Sequence, residues 1–469
     1  MSGGPPHSAA SAFWPDERWT SCRSAYQAAG IEPLLRGRAR WLALAALALQ
    51  DCFGSGSPPS PGTPLLLASC NGAADGFEAE GWRQAFDSKE LLKGIGWARR
   101  GLPVLSASCN SGLHALYLAR QLLLAGYADE VTVLAVDTLS RASHDNFEVL
   151  RVLSDTPQPW QAASSGFTPG EAAVALHLAR AEDSEAAPQL KGPALASDLE
   201  GHDGLSAVLS ELRPERLKLI LGQGTGPFQS DALELAALGA VVGEAVPLAT
   251  PLACFGHTLG ASSLLSVALA ALAWRAQGPL PVLAMHAASA LDGRPLFKGS
   301  AGGDEILITC RAMSGACGAA SVGTSKGHYF RPARGWRSDW RRGWRPACPP
   351  GPLMHPVLRQ IGALASGHRP VAPPDVLLVR MDEPLLPHER ASIGGRLLPS
   401  AVLEMTPGFV SQLIARCWGF TGGAFCLVGD AETDESTARM VEACRKTGLT
   451  VCRINLRGGV DERAIEWNA

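Results

Sequence analysis

The sequence predicts an α/β protein built on parallel sheets, and three observations predict it. A strand pattern at Val104–Ala107 runs through the short polar turn Ser108-Cys109-Asn110-Ser111-Gly112 into a helical stretch, Leu113–Ala125, and a further strand, Glu130–Val136. A second such unit begins where the strand pattern Leu217–Leu221 meets Gly222-Gln223-Gly224-Thr225-Gly226, with a helix predicted over Asp231–Leu238. Finally, Pro251–Phe255 leads into Gly256-His257-Thr258-Leu259-Gly260 and a helix reaching Trp274, and the strand Glu305–Thr309 meets a small-residue turn over Ser314–Gly318. Polar or glycine-rich turns thus recur at the ends of parallel strands, where open α/β sheets place their sites.

The remaining elements follow in order. Trp41–Phe53 has helical apolar spacing, Gly54–Pro64 breaks the chain, and Leu65–Ala68 reads as a buried strand. After Thr324 the composition changes: Arg and Trp interleave over Phe330–Arg345, a Pro-rich stretch follows over Pro346–Pro356, and another α/β pattern runs from about Asp375. We divide the chain into residues 1–195, carrying the candidate nucleophile, 196–325 as a second half, 326–372 as linker, and 373–469 as a C-terminal α/β segment. Within that segment Gly408–Val428, Ser436–Lys446 and Val451–Leu456 repeat the layout of Gly94–Val136, with Cys109 matched near Asp430 or Ala431. The expectation is a degenerate half-module without a nucleophile; any small βαβ domain is the competing reading.

Composition narrows the function. The chain has 469 residues, 46% hydrophobic and 18% charged, with Lys+Arg at 41 against Asp+Glu at 44. That balance offers no positive field for a polyanion, so nucleic acid is excluded as the expected partner. The longest apolar runs, Trp41–Leu49 and Leu264–Trp274, are too short to span a bilayer, and the Gly/Pro/Ser-rich start lacks a signal pattern. Twelve cysteines are scattered with no Cys-x-x-Cys pair, the pattern of reduced thiols, and the expected location is cytoplasmic. No metal or phosphate-loop motif is visible, and no bound cofactor is expected.

Cys109 is the candidate nucleophile. It stands at a strand-to-helix turn, where the helix dipole favours a thiolate, and the small residues Ser108, Ser111 and Gly112 leave room for an acyl thioester. A buried structural thiol is the competing reading.

Ser106–Leu116 closely resembles the active-site segment of the β-ketoacyl synthases of the thiolase superfamily, and other segments match in family order. Ser165-Gly166-Phe167-Thr168-Pro169-Gly170-Glu171-Ala172 is similar to the family's Asp-Gly-Phe-x-x-Gly-Glu-Gly stretch. Gly224-Thr225-Gly226 with Asp231 and Glu234 resembles its His-Gly-Thr-Gly-Thr motif and trailing Asp-x-x-Glu. Phe255–Ala261 resembles its Gly-His-x-x-Gly-Ala motif, and Ser314–Ala320 its closing Gly-Phe-Gly-Gly turn.

The resemblance implies a five-layer α/β/α/β/α sandwich of two similar βαβαβ halves, usually an obligate dimer, followed here by the small C-terminal α/β segment. It implies a ketosynthase of fatty-acid or polyketide biosynthesis that accepts an acyl group on Cys109 from an acyl carrier protein, delivered on a phosphopantetheine arm, and passes it to a malonyl-type second substrate. His257 and Gln223 join Cys109 in the catalytic set. Backbone N–H groups at Cys109 and around Ala316, Cys317 and Gly318 would hold the oxyanion, with Thr225, Glu234 and Glu171 in supporting roles, Glu171 by tying its own turn. The partners implied are the carrier protein and another ketosynthase, as homodimer or heterodimer. Competing readings are an acyltransferase onto an amine, alcohol or thiol without decarboxylation, and a non-catalytic subunit like the chain-length factors.

Departures from the family pattern are specific. The first histidine of the usual Cys-His-His set falls on Gln223, which can donate an N–H but cannot take up a proton. The expected lysine falls on Leu252, so Glu234 must be solvated, protonated or re-partnered. The gating phenylalanine falls on Ala316, implying a more open acyl pocket. His257 could instead only cap its helix, Gln223 could be a structural remnant, and His114 is expected to be a packed residue. The Arg/Trp stretch is expected to wrap the core, with a carrier-protein contact as the next reading.

Overall fold

In a computed structural model, most of residues 25–323 and 356–457 are described, together with Cys22 and 464–468; residues 1–21, 324–355 and several shorter stretches fall outside the described residues. The Arg/Trp-rich stretch 330–345 is among these, so the wrapping expected of it lies outside the described residues.

The first part of the chain forms α1 (Gly37–Phe53), β1 (Leu65–Ala68), α2 (Ser88–Gly94), β2 (Val104–Ser106), α3 (Ser111–Leu124), β3 (Glu130–Asp137), α4 (Arg141–Leu150) and β4 (Ala172–Ala179). The second part forms β5 (Gln189–Ser197), α5 (Gly204–Leu212), β6 (Leu217–Leu221), α6 (Phe228–Val241), β7 (Leu248–Ala249), α7 (Leu252–Phe255), α8 (Ser262–Ala276), β8 (Glu305–Arg311) and β9 (Ala316–Gly323). After these come α9 (Pro356–Gly367), β10 (Val376–Met381), the small hairpin β11 (Ser392–Ile393) and β12 (Arg396–Leu397), α10 (Pro407–Trp418), β13 (Gly423–Val428), α11 (Asp434–Lys446), β14 (Val451–Arg457) and β15 (Ala464–Asn468).

Two large sheets carry the fold, one ordered β15-β14-β10-β13-β2-β1-β3-β4 and one β5-β9-β8-β6-β7. In each half a central strand has parallel neighbours on both sides, β2 and β3 beside β1, and β7 and β8 beside β6, with an antiparallel strand, β4 or β9, beyond. Helices α3 and α8 lie between the sheets, α1 and α2 cover the outside of the first, and α5 and α6 that of the second. This is the thiolase-like layered sandwich of two similar halves.

The core follows from side-chain alternation. In β13, Phe425 and Leu427 point into the cluster between the sheets, with Leu113, Leu116, Val267 and Ile308. Ala424, Cys426 and Val428 point the other way, into a cluster with Trp41, Phe409 and Trp418. Helices α3 and α8 touch so closely that a Cβ on Gly112 would stand 2.8 Å from the Leu264 backbone nitrogen. Only glycine fits there.

The C-terminal segment adds strands to the first half's own sheet. It contains a strand-helix-strand unit, β13-α11-β14, with β10 parallel to both strands. Helix α9 falls inside the stretch expected as linker: its apolar face, with buried Leu358, Ile361 and Ala365, joins the cluster containing Trp418 and Phe409, so this end of the linker packs as part of the segment that follows. Asp430 and Ala431, matched to Cys109 by sequence, lie outside the described residues.

Candidate active site

Strand β2 ends in a tight elbow. Asn110 N donates to Ala107 O at 3.1 Å, Ser111 N to Ser108 O at 3.2 Å, and Ser111 Oγ to Ser108 O at 2.6 Å. To make this turn Ser108 takes a left-handed backbone at φ 54°, a conformation that costs a non-glycine residue on the order of 1 kcal/mol. The following residue is Cys109, just before α3.

His257 comes from the turn after α7. Its N–H donates to Thr168 O at 2.8 Å, and its carbonyl accepts from Gly170 N at 3.1 Å, so two of the motifs singled out by sequence are held side by side. The imidazole packs edge-on to Phe167, centroids 4.6 Å apart, with Phe147 at 6.2 Å. Its Nε2 lies 3.3 Å from Cys109 Sγ, and its Nδ1 lies 3.1 Å from Ser262 Oγ.

Burial pushes the Cys109 thiol up to about 12, reinforced by the Asp137 carboxylate, and burial lowers His257 to about 4. Desolvation thus favours the neutral pair and opposes the thiolate that the helix dipole favours. A protonated thiol donates to Nε2, which places the imidazole proton on Nδ1, facing Ser262 Oγ. We predict that iodoacetamide alkylation of Cys109 rises about tenfold per pH unit between roughly pH 7 and pH 10, without a plateau; a plateau near neutral pH, followed by mass spectrometry, would show a stable thiolate instead.

Asp137 is an anchor that the motifs do not reveal. It accepts from Ser69 Oγ at 2.7 Å, Cys70 N at 3.0 Å, Asn71 N at 3.1 Å and the Gly260 backbone, tying β1, β3 and the Gly-His turn together. Its carboxyl is nonetheless raised to about 6, because burial outweighs these bonds.

Gln223 shares a cavity with His257, whose walls include Gly222, Thr250, Thr309 and Cys310. Its Oε1 accepts from Arg311 N at 2.8 Å, which fixes the amide orientation. Its buried Nε2 has no hydrogen-bond partner among the described residues. A buried N–H donor left open toward a cavity is available to a ligand.

Glu234 is re-partnered. In place of a lysine, four neutral donors hold it: Gln223 N at 2.8 Å, Thr309 Oγ at 2.9 Å, Gly224 N at 3.0 Å and Trp160 Nε1 at 3.0 Å. Leu252 instead packs with Val152, Leu153 and Phe167. Replacing Glu234 by Ala leaves these donors buried and unpaired, so we expect a loss of about 3 kcal/mol or more, read by denaturant unfolding; a loss under about 1 kcal/mol would contradict the anchoring role. Asp231, beside it, accepts from Trp160 N and Gly226 N, and burial raises it to about 7. Thr225 Oγ donates to Ser230 Oγ at 3.1 Å and stays within this loop.

Three expectations are corrected. Cys317 and Gly318 lie inside β9, paired on one side with β5 and on the other with β8, so their backbone groups serve the ladders and are not free to hold an oxyanion. The turn before them spans 312–315, and Ala316 already opens the strand. Its carbonyl accepts from Ala312 N at 2.8 Å and from Asn110 Nδ2 at 3.5 Å, while the Cys317 thiol turns away to Asp198 Oδ1 at 3.3 Å. Ala316 itself is fully buried. Finally, Glu171 does not tie its own turn: it pairs with Arg40 of α1 (Nε to Oε2, 2.8 Å) and accepts from Ala28 N at 2.9 Å. His114 is a packed residue as expected, fully buried with Nδ1 3.0 Å from Asn110 O and its ring 5.8 Å from Phe425.

The layered α/β fold is thiolase-like, and within it Cys109 and His257 are buried and in contact. Residues 102–184 match the family description "Beta-ketoacyl synthase, N-terminal domain", and residues 205–285 match "Beta-ketoacyl synthase, C-terminal domain". Over these two stretches the chain is similar to the β-ketoacyl synthases.

Among curated proteins it is 27% identical over 210 residues to a "Putative polyketide beta-ketoacyl synthase 1" of Streptomyces virginiae, covering 39% of this chain and 50% of that protein. It is also 27% identical over 220 residues to the tetracenomycin ketoacyl synthase alpha subunit of Streptomyces glaucescens, covering 40% and 52%. The matches thus span about half the length of these relatives. Among solved structures, a "PfaC Keto synthase-Chain length factor" superposes with a TM-score of 0.69 at 12% identity, covering 93% of this chain and 67% of that one. Among the described residues, no group of three His, Cys, Asp or Glu side chains is placed to hold a metal, and no helix is long and apolar enough to cross a membrane.

Proposed function

We propose that this chain is a ketosynthase of polyketide or fatty-acid type, loading an acyl group on Cys109 and condensing it with a malonyl-type substrate. The observation that supports this reading most is the 3.3 Å contact between Cys109 Sγ and His257 Nε2, beside a cavity into which Gln223 offers an open N–H.

In the first half-reaction His257 Nε2 takes the thiol proton as Sγ attacks the acyl thioester carbonyl. The Sγ–C bond forms, the carrier's C–S bond breaks, and His257 returns the proton to the departing thiolate. The oxyanion accepts from the Cys109 N–H. In the second, carbon dioxide leaves the malonyl thioester, and the enolate carbon attacks the acyl carbonyl as its bond to Sγ breaks. Gln223 Nε2 donates to the enolate oxygen in place of an imidazole.

An acyl carrier protein is the partner, its phosphopantetheine arm bringing both substrates to a cytoplasmic enzyme. Because the Gln223 amide cannot carry positive charge, transfer to an amine, alcohol or thiol without decarboxylation is the second reading.

Incubation with acyl-loaded and malonyl-loaded carrier, followed by intact masses, separates them. Loss of carbon dioxide with a lengthened chain on the carrier is expected; transfer that leaves malonyl intact would contradict condensation. Gln223→Leu should leave Cys109 acylation unchanged and slow the second step by about 100-fold.

A further inference from the structure

The eight-stranded sheet is symmetric about the junction of β2 and β13. Outward from β2 come β1 parallel, β3 parallel and β4 antiparallel; outward from β13 come β10 parallel, β14 parallel and β15 antiparallel. The intervening helices also recur, α2 and α3 on one side and α10 and α11 on the other. Strands β2 and β13 run antiparallel, with Leu427 opposite Leu105 between the pairs Cys426–Ser106 and Val428–Val104. Two like strands meeting antiparallel at their edges is the geometry of an isologous two-fold contact between copies of one protein. Here both strands belong to a single chain.

The helices behave as this arrangement requires. Helix α3 is buried almost all round, because the second sheet packs on the face turned away from its own. Helix α11, its counterpart, buries Met440, Val441 and Cys444 but exposes Glu435, Arg439, Glu442, Arg445 and Lys446. Among the described residues no second sheet covers α11, and its sequence is charged on the side where one would lie. No cysteine occurs between Cys426 and Cys444, around the position matched to Cys109.

We propose that residues 356–457 are a built-in half-partner: they occupy the β2 edge in place of a second subunit, so that one chain is the complete unit, and they brace the site from behind. The bracing is direct. Gly408 N donates to Ser106 Oγ at 3.2 Å, and Thr406 Oγ lies 3.4 Å from Ser108 Oγ, both at the nucleophile elbow. A Cβ on Gly408 would come within 2.6 Å of Ser108 N. On the other side, Arg416 Nη2 donates to Ser314 O at 2.7 Å, in the turn that leads into β9. Arg416 is thus a positioning residue, holding the 312–315 turn that leads into Ala316, whose carbonyl accepts from Asn110 Nδ2 beside Cys109 at 3.5 Å.

The role of Arg416 rests on the ketosynthase reading; the occupation of the β2 edge does not. The test is sedimentation velocity of the full chain, together with acylation and transfer kinetics of Arg416→Gln and Arg416→Lys. A single-chain species is expected from low to high micromolar concentration, and a stable two-chain species would overturn the built-in partner. Arg416→Gln should lower kcat of transfer by about tenfold, with KM held and partial recovery in Arg416→Lys; an unchanged kcat in a folded Gln variant would overturn the bracing. A monomer never acylated on Cys109 would remove the catalytic reading and leave the pairing in place, whereas an acylated dimer would do the reverse.

Discussion

Cys109→Ala is expected to abolish acyl-enzyme formation and reduce condensation by at least about a thousandfold. The argument is one of alternatives. The chain has twelve cysteines, and burial alone does not separate them. Burial raises Cys70 and Cys310 as it does Cys109, and Cys317 faces Asp198. Cys109 has a histidine that can take its proton 3.3 Å away. The change removes one sulfur from a packed turn, so folding should survive, and a Cys109→Ala protein that still carries an acyl group would show that another nucleophile does the chemistry.

Arg40→Leu is expected to be the most damaging single change to stability. Arg40 and Glu171 are both fully buried and paired, and the same carboxylate receives Ala28 N. Removing the guanidinium leaves a carboxylate uncompensated in the interior, at a cost of about 3–5 kcal/mol. Against a typical stability of about 5–15 kcal/mol, that is enough to deplete folded protein in cells. The double change Arg40→Leu with Glu171→Leu removes both charges and should recover part of the loss. Denaturant midpoints measure the difference, and a double variant less stable than Arg40→Leu would contradict this account.

The sequence made the elbow and the Gly-His turn legible because each needs small residues at fixed spacing, and both turns occur where they were expected. It could not show what holds them. Asp137 has no motif of its own, yet it gathers β1, β3 and Gly260; Ser262, which orients His257, is an ordinary first residue of a helix. The partner of Glu171 lies 131 residues earlier in the chain, beyond any local pattern. Likewise, the loss of a lysine at Leu252 was visible, but the four neutral donors that replace it become neighbours only on folding.

Two features depend on folding in ways a local pattern does not carry. The helix dipole at Cys109 can be read from the elbow, whereas the burial that opposes a thiolate there comes from the packed fold. The glycine-rich Ser314–Gly318 stretch looked like one turn, whereas the strand resumes at Ala316, where the backbone pairs with both β5 and β8. The C-terminal repeat could be glimpsed in its periodicity, but its pairing with β2 is a long-range contact between backbone edges, on which side-chain patterns are silent.

The central claim is that Cys109 carries the acyl group. Trypsin places this residue in a peptide spanning 101–120 that contains no other cysteine. After wild-type protein is mixed with acyl-loaded carrier and quenched with acid, peptide mapping should find the acyl mass on that peptide, with His257→Ala slowing its appearance. An acyl group on any other peptide, with 101–120 unmodified, would contradict the account.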